Sequence, residues 1–262
     1  TKGAAPLFIV AGMFGNVLNL RHLAMSFSGE RMVYGLQARG LIGDEPPHET
    51  VPDAARDYLA EVRQVQPQGP YLLAGYSGGG ITAYEMARQL QDAGEEVAVL
   101  AMLDTPLPVR APLDAADKAM IKLKQIKDRG PRYVVDWFHD RRAWNAQMRQ
   151  RAEAEAETGQ GAEFNNRKME DAFIAATSRY EVHPWEGPRT LFRPPLEKTW
   201  KGTRGRWISS ERAYVCEDNA WRQYAPLIEV IEVPGDHDSM VLTPNVTVLA
   251  QELAEVIADA MS

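Results

Sequence analysis

Tyr71-Leu72-Leu73-Ala74-Gly75-Tyr76-Ser77-Gly78-Gly79-Gly80 is the stretch that decides the fold. An apolar run rich in aromatic and aliphatic side chains enters Gly-x-Ser-x-Gly, and the residues that follow, to Ala93, carry helical periodicity. A strand that turns at once into a helix holds the central Ser on a sharp bend, and the flanking glycines remove side chains that would collide there. An ordinary glycine-rich turn is the bland alternative, weakened by the strand before the motif and the helix after it. A phosphate-binding loop fits less well, because neither a Walker Gly-Lys-Ser/Thr sequence nor Gly-x-Gly-x-x-Gly is present.

Outward from this bend, short apolar runs alternate with helical patterns, which points to βαβ units and a mostly parallel sheet in an α/β architecture. The strands expected are 6–11, 32–36, 70–76, 97–104, 189–193 and 227–233, and the helices 16–27, 51–65, 78–93 and 244–261. Thr243 is the expected cap of the last helix, with Pro244 at its first position, where a missing N–H costs nothing. The alternation fails between about Pro112 and Pro188, where charged and aromatic helix-like segments replace strands. The 262 residues therefore read as one domain, 1–262, carrying an inserted helical subdomain over 112–188. From Asp117 to Arg151 the insertion holds ten Lys/Arg against four Asp/Glu, a local positive excess whose bland reading is a solvated helical face.

Composition removes other classes. The net charge of −7 argues against a nucleic-acid partner, whose phosphates call for a basic face. The longest apolar run, Val97 to Leu103, falls far short of the ~20 residues that span a bilayer. A single Cys216 excludes an intramolecular disulfide framework and a Cys-based zinc site, and suits a reducing cytoplasm. The chain opens on Thr1-Lys2-Gly3-Ala4-Ala5-Pro6 without signal-peptide features, and so reads as a piece excised from a longer polypeptide.

A serine hydroxyl needs a base to take its proton and an acid to orient that base. Among five histidines, His22 falls in a helix, His48 in a proline-rich loop, and His139 and His183 in the insertion. His237 follows an apolar strand through Pro234-Gly235-Asp236, at a strand's C-terminal end, where open α/β sheets build their sites. Its late position also matches the Ser, acid, His order of α/β-hydrolases. For the acid, Asp104 ends the strand that follows the nucleophile helix. The competing placement, after the strand ending at Arg193, offers Glu197, Glu211, Glu217 and Asp218, none directly at a strand end. Asp236 and Asp238 flank the base on its own loop. Acyl transfer also needs donors aimed at the developing oxyanion. The N–H of Gly78 is one, and the loop Val10-Ala11-Gly12-Met13-Phe14-Gly15-Asn16 supplies the other, with the Met13 N–H as candidate and an ordinary core methionine as the alternative.

Val33-Tyr34-Gly35-Leu36-Gln37-Ala38-Arg39-Gly40-Leu41, Val65 through Ser77, Ala87-Arg88-Gln89-Leu90, Leu103-Asp104 and Pro234-Gly235-Asp236-His237 resemble the conserved blocks of type I thioesterase domains that close nonribosomal peptide and polyketide synthases. The resemblance spans essentially the whole chain and weakens over the insertion. It implies an α/β-hydrolase fold, a helical lid formed by the insertion, and an acid at Asp104. Many relatives carry His-Pro-Ala-Gly-Gly where this chain has Ala11-Gly12-Met13-Phe14-Gly15. No helices precede Pro6 to match those with which polyketide synthase thioesterases dimerise, so a monomeric peptide-synthase type is expected.

The expected activity is release of an acyl or peptidyl chain from the phosphopantetheine arm of an upstream carrier protein, through an acyl-Ser77 intermediate cleaved by water or by a nucleophile of the chain itself. No cofactor or metal of its own is expected, and no nucleic acid or membrane partner. Trp137, Phe138, Trp144, Phe173, Tyr180 and Trp185 are candidates for an apolar wall beneath the lid, and the lysines from Lys118 onward for docking an acidic carrier. A free-standing editing thioesterase, a generic carboxylesterase and a catalytically inactive carrier-docking module are the competing readings.

Overall fold

The computed structural model describes residues 4–129 and 166–262. The chain forms two compact units, the first Thr1–Arg110, Phe164–Leu196 and Cys216–Ser262, the second Ala111–Glu163 and Glu197–Val215. The first unit is built on the strands β1 (Leu7–Val10), β2 (Val33–Leu36), β3 (Tyr71–Tyr76), β4 (Val97–Leu103) and β5 (Arg189–Arg193). The second holds the two short strands β6 (Trp200–Lys201) and β7 (Trp207–Ile208), and β8 (Glu229–Glu232) returns to the first. The described helices are α1 (Arg21–Ser26), α2 (Val51–Val65), α3 (Gly79–Asp92), α4 (Ala115–Arg129), α5 (Asn166–Ser178) and α6 (Val246–Ala260), of which only α4 lies in the second unit.

Six strands pair in the order β2-β1-β3-β4-β5-β8, and every pairing is parallel. Parallel sheets covered by helices on both faces bury their central strands completely, which is why β3 and β4 read as unbroken apolar runs. The period of two then sorts the side chains. Phe8, Leu73 and Met102 pack with Leu59 of α2 and Tyr84 of α3 on one face. Ile9, Leu72 and Leu103 pack with Leu23 of α1 and Leu253 of α6 on the other. The strand order turns at β1, with β2 on one side and β3 on the other, and the crevice outside the carboxyl ends of strands at such a switch point is where open α/β sheets bind ligands.

Two helix starts differ from the sequence expectation. The helix expected from Asn16 begins instead as a 3-10 turn at Leu18–Leu20, because the Asn16 side chain accepts the Leu18 N–H at 2.7 Å and holds the chain in a turn. The last helix starts at Val246 with Asn245 as its cap, so Thr243 is not the cap and Pro244 lies outside the helix. The Asn245 amide is turned away from the helix and donates to Ser239 O at 3.2 Å.

The expected insertion over 112–188 is distributed differently. Ala176 of α5, Tyr180 and Trp185 are buried in the core of the first unit. The second unit gathers α4 with a β6–β7 hairpin from beyond 188, which the sequence reading left without structure. Buried Asp117 organises it, accepting from Thr203 N at 2.5 Å, Thr203 Oγ1 at 2.8 Å and Tyr214 Oη at 2.8 Å. A buried carboxylate needs such donors to offset its lost hydration. Trp137, Phe138, His139 and Trp144 lie outside the described residues.

Candidate active site

Ser77 leaves β3 with φ 52, in the left-handed region that costs a side-chain-bearing residue free energy and is held only where the surroundings over-determine it. Here its N–H is tied to Leu103 O of β4 at 2.8 Å. The glycines make the turn sterically feasible. A Cβ on Gly75 would lie 2.5 Å from the Gly79 carbonyl, and one on Gly79 would fall on the main-chain oxygens of Val10 and Ala11, so α3 seats its first turn directly against β1.

His237 Nε2 lies 3.0 Å from Ser77 Oγ, and His237 Nδ1 lies 2.7 Å from Asp104 Oδ2. These are hydrogen-bonding distances, with the imidazole between hydroxyl and carboxylate. The three residues come from the carboxyl ends of β3, β4 and β8, the edge that the sheet topology singles out. Asp104 stands directly after β4 with φ 44, its N–H bonded to Phe192 O of β5 at 2.7 Å. The loop before His237 is locked by Asp236 Oδ1, which accepts from Ser239 N at 2.8 Å and Ser239 Oγ at 2.7 Å.

Burial pulls the Asp104 carboxyl upward, but hydrogen bonds from His237 and Asn219, with the charges of His237 and Arg110, outweigh it and hold the group below the usual carboxylate range. It is therefore ionised at neutral pH. Burial pushes the Tyr76 phenol well above its ordinary value, and the charges of Asp238, Asp104 and Asp236 add to this, so Tyr76 is a permanent donor. It donates to His237 O at 2.8 Å.

Two of the acids after β5 have their carboxylates engaged elsewhere, and a third, Glu217, is held through its main chain. The Glu197 carboxylate accepts from Thr199 and Ser210, the Asp218 carboxylate from the N–H groups of Ala220 and Arg222, and Glu217 offers its main-chain oxygen to Arg193. Among the other histidines, His48 pairs with Asp57 at 2.8 Å and His183 O accepts from Tyr84, while His22 lies in α1.

A pocket of about 480 Å³ opens over Ser77 and His237, lined also by Gly12, Met13, Phe14 and Tyr76. Gly15 N bonds back to Gly12 O at 2.8 Å, so Met13 stands in a tight turn at this wall. Gly78 caps α3, and its N–H is among the donors that a helix leaves without intrahelical partners at its N-terminus, where the macrodipole favours negative charge. Phe173 of α5 lies directly against Gly78. Among the described residues, no group of three or more His, Cys, Asp or Glu could hold a metal ion, and no helix is long and apolar enough to cross a membrane.

Sequence reasoning missed Tyr76 and Asn219. Tyr76 is the variable position of Gly-x-Ser, so only its aromatic identity next to Ser77 hinted at a contact. Asn219 sits in a polar loop, and its partner Asp104 lies 115 positions earlier, a separation no local pattern reveals.

A parallel sheet with a Ser on the tight turn after β3 and a His in the loop after the last strand defines the α/β-hydrolase class. Within that class, the chain belongs to the thioesterase domain family, whose model matches residues 5–154. The malpinin synthetase of Mortierella alpina is 30% identical over 251 residues, which are 95% of this chain and 3% of that protein's length. A solved four-domain nonribosomal peptide synthetase, bound to AMP and glycine, is 26% identical with a TM-score of 0.66 over 96% of this chain and 19% of that one. A type II thioesterase from a yersiniabactin biosynthetic pathway, 18% identical, shares the fold at a TM-score of 0.62 over 100% of this chain and 96% of its own.

Proposed function

We propose that this thioesterase domain releases the finished acyl or peptidyl chain from a carrier protein of a nonribosomal peptide synthase. The observation that carries the reading is the placement of His237 between Ser77 Oγ and Asp104. In the proposed reaction His237 takes the Ser77 proton as the oxygen attacks the thioester carbonyl, and the oxyanion is met by the N–H groups of Gly78 and Met13. The imidazolium returns the proton to the leaving pantetheine thiol, and an ester on Ser77 remains. Water, or an amine or hydroxyl of the chain itself, then attacks that ester with His237 again as base, giving an acid or a macrocycle.

The family match and the multidomain synthetases among the relatives support a carrier-bound substrate. We further propose that exposed Lys122, Lys124 and Lys127 on α4 favour an acidic carrier. The chain needs no bound cofactor in this scheme, because the phosphopantetheine arrives with the substrate. The test is turnover of a peptidyl thioester loaded on a phosphopantetheinylated carrier protein, set against acetyl loaded on the same carrier and against a matching oxoester. Preference for the peptidyl thioester supports terminal release. Preference for the acetyl group points to editing, and preference for the oxoester to a carboxylesterase.

A further inference from the structure

The Asp104 carboxylate is held from both sides. Its Oδ2 faces His237 Nδ1 at 2.7 Å, while its Oδ1 accepts from Asn219 Nδ2 at 2.9 Å. The same amide nitrogen reaches Thr105 O at 3.2 Å. Both partners are acceptors, so the amide must present its NH₂ group to them, and its orientation is fixed by chemistry. The loop that carries Asn219 is itself anchored, since buried Trp221 donates Nε1 to Thr105 O at 2.9 Å. Asn219 has φ 48, a conformation that Asn tolerates better than most residues because its short polar side chain bonds locally. A loop spacer in that conformation would be expected as Gly, whereas an amide here has a use.

We propose that Asn219 is a positioning residue for the reaction: it selects which Asp104 oxygen faces His237 and favours the ionised carboxylate that fixes the imidazole tautomer. The inference rests on reading Ser77, His237 and Asp104 as an acyl-transfer relay. Removing a charge-assisted hydrogen bond frees the carboxylate to rotate and weakens its hold on the imidazole. Among the described residues, the other charged and titratable groups near the relay are Arg110, whose charge acts on Asp104, the Tyr76 phenol, and Asp236 and Asp238 on the His237 loop, whose charges act on Tyr76. Glu217 and Asp218 precede Asn219 on its own loop.

The test is the rate of Ser77 modification by a serine-directed fluorophosphonate between pH 5 and 9 in the parent chain, Asn219→Gly and Asn219→Asp. Glycine adopts φ 48 without strain and removes only the amide. Aspartate is isosteric and replaces the donor with a second carboxylate, which favours the imidazolium or traps a proton between two carboxylates. The expected results are labelling slowed about 10- to 100-fold in Asn219→Gly at neutral pH, and an acidic limb displaced upward by about one pH unit in Asn219→Asp. The new charge moves that limb by itself, so the deciding readout in the isosteric variant is the labelling plateau above the limb, expected about fivefold or more below the parent. A purely structural Asn219 would leave that plateau within about twofold of the parent. Plateau labelling within twofold of the parent in the folded variants overturns the inference, and if the glycine variant fails to fold, the plateau of the isosteric variant decides alone. Ser77→Ala separates the two levels. Labelling that persists there overturns the functional reading itself, whereas its loss there alongside parent-like Asn219 variants overturns only the positioning role.

Discussion

Tyr76 and His237 are joined twice, by a hydrogen bond from the phenol to the His237 main-chain oxygen at 2.8 Å and by rings stacked 5.4 Å apart at 25°. The residue before Ser77 thus ties the loop that carries His237 to the turn that carries Ser77. The proposed Ser77–His237 pair depends on placement to within a fraction of an ångström, so a residue that joins the Ser77 turn to the His237 loop should matter to rate more than to fold.

Tyr76→Phe keeps the stack and loses the hydrogen bond. One neutral hydrogen bond contributes about 1 kcal/mol, so kcat/KM should fall by roughly tenfold or less. Tyr76→Ala removes both contacts and should cost at least another tenfold. Steady-state kinetics on a pantetheine thioester measure the pair, and equal losses in the two variants would show that stacking contributes nothing.

Gly79→Ala places a methyl on the main-chain oxygens of Val10 and Ala11. Backbone cannot yield as a side chain does, so the variant should lose more than about 2 kcal/mol of stability, read by urea denaturation.

Glu85 of α3 is buried and accepts from Arg88 Nη2 at 2.8 Å, Gln89 Nε2 at 2.8 Å and Tyr180 Oη at 2.8 Å. Burial raises its pKa, and the bonds from Arg88, Gln89 and Tyr180 overcome this and hold the carboxyl below its ordinary value. A depressed carboxyl stabilises the fold above its unfolded value, about 4.3, and that contribution disappears as pH falls through the folded value. Glu85→Gln should therefore cost about 1–3 kcal/mol at pH 7, the worth of hydrogen bonds to a charged group. Its stability should also fall less than the parent's between pH 6 and pH 3. Urea midpoints across that range check both signs, and parallel curves would contradict them.

Charge reversal at Lys122, Lys124 and Lys127 together should slow transfer from an acidic carrier protein at low salt and leave hydrolysis of a small pantetheine thioester unchanged. The difference should shrink as ionic strength rises and the Debye length falls towards 8 Å. Transfer rates at two salt concentrations decide it.

What was legible in the sequence follows from burial. β3 and β4 are covered on both faces, so their apolar runs stand out, and the turn at Ser77 is written in adjacent glycines that the backbone geometry requires. Ser77 and Asp104 could be placed because each directly follows such a strand. His237 could be placed because it trails β8 through the turn at Pro234-Gly235, although β8 is a half-buried strand whose Val230 and Ile231, flanked by Glu229 and Glu232, alternate only weakly. The partners of these residues could not. Asn219 meets Asp104 only through tertiary closure of a polar loop, and the Asn16 and Asn245 side chains changed where helices begin by bonding outside them. The β6–β7 hairpin escaped notice because its strands are two residues each, too short to show a period.

In the proposed reaction Ser77 carries the acyl group, and intact-mass spectrometry of the chain mixed with an acyl-pantetheine thioester reads that intermediate. A single added acyl mass that maps to Ser77 is expected, absent in Ser77→Ala and formed about 10⁴-fold more slowly when His237 is replaced by Ala or Asp104 by Asn. An adduct that persists in Ser77→Ala, or turnover that proceeds without Ser77, would contradict it.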